Sequence, residues 1–131
     1  MIKRQFNSVM KNKKNFPRWH IVAPAYNEEK DLPIWLRSLL SSPLRRCLQS
    51  VIIVDDGSRD RTVEVARSFQ KKLPIKIISY TPNAGPGFAF RKGLTEVLRR
   101  AQDHDVIVTM ECDNTSDLSI LSEMVNKIQK G

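Results

Sequence analysis

The sequence predicts an α/β fold, a mostly parallel sheet flanked by helices, and three observations carry that prediction. Four short apolar runs, at residues 20–23, 51–54, 75–79 and 106–110, are rich in β-branched residues and bounded by polar or turn residues. Strands buried on both faces have this character. Segments with helical spacing lie between the runs and after the last one. The order is therefore β-α-β-α-β-α-β-α, which right-handed crossovers turn into a parallel sheet covered on both faces.

Each element has its own reason. The first strand runs from His20 to Ala23. Leu32, Leu36, Leu39 and Leu40 then recur at i, i+4, i+7 and i+8, the apolar stripe of a helix over 32–40, with Pro33 tolerable in its first turn. The second strand ends at Val54, and Val63, Ala66 and Phe69 mark one face of a helix over 62–69. The third strand precedes a helix over 88–101, built on Phe90, Leu94, Val97 and Leu98. After the fourth strand, Leu118, Leu121, Met124, Val125 and Ile128 give the closing helix its apolar face. No internal repeat interrupts this order.

Composition narrows the class. The 131 residues, 40% hydrophobic and 27% charged, suit one soluble domain rather than a disordered or disulfide-stapled chain. No apolar stretch approaches the ~18 residues of a membrane span. Cys47 and Cys112 lie far apart with no CxxC around either, so a reduced, intracellular thiol pair is expected. The net charge is +8, but Lys3, Arg4, Lys11, Lys13, Lys14 and Arg18 place six cations and no acid within residues 1–18. That leaves 16 cations against 14 acids, or +2, for residues 19–131. Residues 1–18 are accordingly a basic flexible tail, and 19–131 the folded part. The tail lacks the apolar core of a secretory signal. It is either a solvated terminus or a contact for anionic lipid, nucleic acid or another acidic partner.

In open α/β sheets, ligands gather at the carboxyl ends of the strands. Here the first strand leads into Pro24-Ala25-Tyr26-Asn27-Glu28 and the second into Asp55-Asp56-Gly57-Ser58. The third leads to Asn83-Ala84-Gly85-Pro86-Gly87 and the fourth to Glu111-Cys112-Asp113. Glu111 and Asp113, at i and i+2 on an extended backbone, point to one side and can share a hard divalent cation such as Mg²⁺ or Mn²⁺, with Cys112 directed away. Alone, such a pair could equally solvate a loop and, with Asp117, favour the next helix N-terminus. Of Asp55 and Asp56, one could accept hydrogen bonds from a base or ribose while the other orders the turn; an Asp or Ser capping the helix near Asp60 is the structural alternative. Tyr26 offers a face for a nucleobase and Glu28 an acceptor, unless Tyr26 simply packs on its loop and Asn27 or Asp31 caps a helix. The 83–87 loop feeds a helix N-terminus suited to phosphate, yet lacks both the GxGxxG and the P-loop spacing.

Taken in order, four blocks resemble family 2 glycosyltransferases of the GT-A fold, in particular the polyprenyl- and dolichyl-phosphate sugar transferases. They are Pro24 to Glu28, Val54 to Ser58, the spaced set Asn83, Gly85, Gly87, Ala89, Arg91 and Gly93, and the acid pair Glu111 and Asp113. The resemblance implies a Rossmann-like donor half that binds a UDP- or GDP-sugar. Its donor contacts would be Pro24, Tyr26, Asn27, Glu28, Asp55, Asp56, Gly85 and Asp113, and its Mg²⁺ or Mn²⁺ ligands Glu111 and Asp113. Two positions depart from the family pattern. Glu111 is one methylene longer than the usual first Asp, and Pro86 stands where many relatives carry a basic residue.

The family's acceptor site and any catalytic base come from sequence beyond the helix after the acid pair. The resemblance therefore assigns no catalytic base here, and the chain is expected to be the incomplete, donor-binding half of a larger domain. It also implies a polyprenyl-phosphate acceptor at a membrane, no nucleic-acid partner, and a cytoplasmic setting at the membrane face. A truncated, non-catalytic nucleotide-binding remnant is the alternative. A phosphoacceptor signalling domain fits poorly, because no strand ends in the Lys that such a domain needs.

Overall fold

The computed structural model describes residues 17–113 and 118–130. The order is β1 (Trp19–Ala25), α1 (Leu32–Ser41), a 3₁₀ turn (Pro43–Cys47), β2 (Leu48–Asp56), α2 (Thr62–Ser68), β3 (Ile75–Tyr80), α3 (Pro86–Leu98), β4 (Val106–Thr109) and α4 (Ile120–Lys130). All four strands are parallel, in the order β3-β2-β1-β4. The α/β class with helices on both faces is thus as the sequence predicts.

Alternation along the strands assigns the faces. Ile21 and Ala23 of β1 and Val51 and Ile53 of β2 share a core with Leu32, Trp35, Leu36 and Leu39 of α1, Ala66 of α2 and Leu121 of α4. Val22, Ile52 and Val54 turn the other way, onto Ala89 and Val97 of α3. Both faces of the two central strands are sealed, which is why residues 51–54 read as an unbroken apolar run. At roughly 1.5–3 kcal/mol for each fully buried large side chain, Trp35 and the α1 leucines anchor the larger core.

Several boundaries move, each for a local reason. The first two strands extend beyond their apolar runs, because β1 pairs in register from Trp19↔Leu48 to Ala25↔Asp55. Met110 falls outside β4, although its N–H still reaches the Val22 carbonyl at 3.0 Å. The third helix begins at Pro86 rather than 88, since Gly85 serves as N-cap and Pro at N1 needs no donor; it ends at Leu98, before 101. The 3₁₀ turn at Pro43–Cys47 has no periodicity to announce it and is held by Leu44 N–H donating to Ser42 Oγ at 3.2 Å. Arg18, assigned by charge to the tail, accepts the Val106 N–H on its carbonyl and pairs with Asp105 at 3.3 Å. Tail residues 1–16, and Asp117, lie outside the described residues.

The topology fixes where a ligand can sit. From β1 the chain steps outward to β2 and β3, then crosses back to place β4 on the far side of β1. The strand order thus reverses between β1 and β4, whose carboxyl ends adjoin in the crevice where ligands of such sheets collect.

Candidate functional site

That crevice is a cavity of about 320 Å³ lined by Pro24, Ala25, Tyr26, Glu28, Asp56, Asn83, Gly85, Pro86, Ala89, Phe90, Glu111, Cys112 and Asp113. All four strand ends named in the sequence contribute to it. Tyr26 is 44% exposed, so its ring is available to a ligand rather than packed.

The loop after β1 is stitched to the loop after β2. Asn27 N–H donates to Ser58 Oγ at 2.9 Å, and Arg59 N–H returns to Asn27 Oδ1 at 2.9 Å. Glu28 N–H donates to Thr62 Oγ1 at 2.8 Å and Glu29 N–H to Asp60 Oδ2 at 3.1 Å. Asp60 also takes the Thr62 N–H at 3.0 Å, an Asx turn that leads into α2. Burial opposes its ionisation, but these donors outweigh burial and hold its carboxyl below the usual range. Asn27, at φ 52°, is therefore a loop tie outside the cavity lining, whereas Tyr26 and Glu28 on either side of it face the space.

Asp55 and Asp56 divide their roles. Asp55 is buried, with one oxygen taken by Ser58 N–H at 3.0 Å and the other by the Ser79 hydroxyl at 2.7 Å. The parallel register sets Ser79 opposite Asp55, so this carboxylate orders the turn and is absent from the cavity lining. Asp56 lines the cavity and accepts Ala84 N–H at 2.7 Å and Gly85 N–H at 3.0 Å. Burial pushes its carboxyl upward, yet those amides and the adjacent Tyr80 hydroxyl bring it below the ordinary Asp value. Gly57 permits the approach: its φ is 73°, and a Cβ there would lie 2.7 Å from the Asn83 nitrogen. Two of the amides at the entry to α3 are thus already engaged by Asp56. The first-turn N–H groups of Gly87 and Phe88, which have no acceptor within the helix, remain for an anion.

Glu111 and Asp113 sit just past β4, which stops at Thr109, and the chain bends at 112–113. The alternation nevertheless holds. Cys112 is buried with its thiol donating to the Pro24 carbonyl at 3.1 Å, while Glu111 and Asp113 line the cavity. Burial first, then the Glu28, Asp113 and Glu111 carboxylates, push the Cys112 thiol up to about 12. The same concentration of negative charge acts on Glu28, whose carboxyl is raised by burial and then by Asp113, Asp31, Asp60 and Glu111.

Among the described residues no three His, Cys, Asp or Glu side chains converge into a ready cation cage. Two oxygen donors beside a carboxylate-rich wall still suit a hard cation that draws the rest of its shell from water and a bound phosphate. The residues present fit Mg²⁺ or Mn²⁺ on Glu111 and Asp113 in that sense. Sequence reasoning placed Ser58 and Asp60 only in the turn and at the helix start, and missed the stitching residues Thr62 and Ser79. Asp60-Arg61-Thr62 before a helix was a readable Asx-turn signal; the Ser79 contact needed the register.

The chain is 30% identical over 85% of its length to dolichol-phosphate mannosyltransferase of Pyrococcus furiosus, covering 30% of that protein. It is 37% identical over 56% of its length to human dolichyl-phosphate beta-glucosyltransferase, covering 26% of it. It thus spans about a quarter to a third of the length of these curated relatives. In fold it matches S. aureus TarS 1–349 in complex with UDP at TM-score 0.71 and 23% identity, over 86% of this chain and 32% of that one. It also matches a mannosyltransferase from Pyrobaculum calidifontis in complex with GDP-Man and Mn²⁺, at TM-score 0.63 and 19% identity, over 98% of this chain and 39% of that one. The fold is Rossmann-like and corresponds to part of the GT-A glycosyltransferase fold. With the family profile for Glycosyl transferase family 2 matching residues 20–131, this chain belongs to that family.

Proposed function

We propose that this chain forms the nucleotide-sugar site of a glycosyltransferase that passes a sugar from a UDP- or GDP-sugar to a polyprenyl or dolichyl phosphate. The observation that carries this reading is the switch-point cavity, where Tyr26 and Glu28 at the end of β1 share one space with Glu111 and Asp113 beyond β4. Tyr26 packs on the base, and the Glu28 carboxylate accepts from base or ribose. Asp56 holds the 83–85 loop so that the first turn of α3 faces the diphosphate. Glu111 and Asp113 hold Mg²⁺ or Mn²⁺, which when bound offsets the charge left on the nucleoside diphosphate as the sugar departs. An acceptor phosphate oxygen is already anionic, so its attack on the anomeric carbon needs little general-base help. The acceptor class is supported by relatives whose names specify dolichol- or dolichyl-phosphate. Among the described residues no helix is long and apolar enough to cross a membrane, and a cytoplasmic setting at the membrane face is part of the same proposal.

Calorimetry with UDP- and GDP-sugars, with and without Mn²⁺, tests the donor site. Metal-dependent binding that disappears in Asp113→Ala is expected. Absence of binding to every nucleotide sugar tried would sink the proposal. Turnover with dolichyl phosphate is a separate measurement, and binding without turnover would favour the nucleotide-binding remnant instead.

A further inference from the structure

We propose that the outer face of α3 is a docking surface for an anionic lipid bilayer. A groove of about 460 Å³ on this face is lined by Ile78, Phe88, Arg91, Lys92, Thr95, Glu96 and Arg99. Lys76 and Arg100 flank it, so five cations surround a single carboxylate. Glu96 is already shared among Lys76 at 3.7 Å, Arg99 at 3.8 Å and Arg100 at 3.1 Å. Arg91 and Lys92 have no carboxylate partner among the described residues. The near-neutral sum of residues 19–131 thus conceals a local excess, with five of its 16 cations gathered around this face.

The apolar groups on this face select among anionic partners. Leu98, 65% exposed, stands at the edge of the cationic stripe one turn from Leu94 and Thr95 and two from Arg91. A bilayer interface accepts such a side chain while headgroups meet the cations around it. Single-stranded nucleic acid would instead want an open aromatic platform. The one large ring here, Phe88, is engaged edge-to-face by Tyr80 at 5.1 Å and by Lys92, whose Nζ lies 5.4 Å from the ring centroid. The opposite side of α3 is sealed on β1 and β2 through Ala89 and Val97, so the helix presents its outer face as a fixed plate. Its first turn also lines the switch-point cavity through Pro86 and Ala89. A bilayer on the outer face would thus lie about one helix diameter, ~10–12 Å, from that cavity.

Co-sedimentation of the full chain with vesicles tests this. Phosphatidylcholine vesicles are compared with vesicles in which about a third of the lipid is phosphatidylglycerol, at low and high salt. The expected result is salt-sensitive binding to the anionic vesicles only. It should fall at least tenfold in Arg91→Gln/Lys92→Gln/Arg99→Gln and persist in the charge-preserving Arg91→Lys/Arg99→Lys. All three positions are exposed, and Gln and Lys are good helix formers, so both variants keep the fold. A third variant, Lys11→Gln/Lys13→Gln/Lys14→Gln, separates the basic tail and should keep at least half of the binding. The proposal is overturned if the α3 variant binds as well as the parent, if the tail variant alone abolishes binding, if neutral vesicles bind equally, or if a short single-stranded RNA competes the chain off the vesicles. The measurement contains no nucleotide, so its outcome is independent of the donor reading.

Discussion

Both oxygens of Asp56 accept backbone N–H groups from the loop entering α3, making one carboxylate responsible for a turn and a cavity wall together. Asp56→Asn keeps one acceptor and loses the charge, so a loss of about 1–3 kcal/mol is expected in urea unfolding at pH 7. The pH dependence has a definite sign. Asp56, Asp60 and Asp105 are all held below the ordinary Asp value in the fold; for Asp105, burial is outweighed by the Gln102 amide, His20 and Arg18. Their contribution is complete above the unfolded value of ~3.9 and is lost as pH falls through the folded values. The urea midpoint should therefore drop between pH 5 and 3, and drop less in Asp56→Asn; an equal drop would exclude Asp56 as a contributor. The thiols make a second residue-scale case. Burial raises Cys47, and burial with three carboxylates raises Cys112. Ellman's reagent at pH 8 should label both slowly in the native chain and rapidly in urea; fast native labelling at Cys112 would contradict its buried bond to Pro24. At this scale the acids were legible, because they follow apolar runs. The split between Asp55 in the turn and Asp56 on the cavity wall was not, because it depends on Ser79 lying opposite Asp55 in the neighbouring strand.

Elements were legible where burial imposes a period and blurred where a local bond decides. Residues 51–54 could only be a strand sealed on both sides. The 3₁₀ turn, by contrast, rests on local bonds to Ser42, whose Oγ takes the Leu44 N–H and whose carbonyl takes the Arg45 N–H, and the start of α3 rests on Gly85 and Pro86 rather than on its apolar stripe. That stripe shows that the helix exists but not how closely it lies. Closeness is set by Gly93, where a Cβ would stand 2.3 Å from Val22 Cγ1 and 3.0 Å from Val54 Cγ2. Gly93→Ala gains about 1 kcal/mol of helix propensity and incurs about 1–3 kcal/mol of overpacking. A net loss of up to about 2 kcal/mol is expected, with α3 pushed off the sheet. Because Pro86 and Ala89 on α3 line the cavity, nucleotide-sugar affinity should fall along with stability. A higher urea midpoint in Gly93→Ala would show that α3 does not need the close approach.

Across the whole molecule, the parallel order β3-β2-β1-β4 gathers carboxylates from three separate strand ends into one crevice, and that gathering opposes stability. Sequence order indicated that these acids share a rim; their mutual repulsion emerges only from the fold. Glu28 registers it, with its carboxyl raised by burial first and then by Asp113, Asp31, Asp60 and Glu111. A carboxyl whose folded value lies above its unfolded one destabilises the fold when ionised, and the penalty grows as pH rises through that value. Glu28→Gln should therefore raise the urea midpoint at pH 7, with the gain shrinking toward the unfolded Glu value of ~4.3. The same substitution should weaken metal-dependent nucleotide-sugar binding, since it removes an acceptor from the cavity. Such opposition between stability and binding marks a charge kept for its function. A midpoint lowered or unchanged at pH 7 would instead mean that the backbone ties to Ser58, Asp60 and Thr62 already neutralise this corner, and that Glu28 belongs to the scaffold.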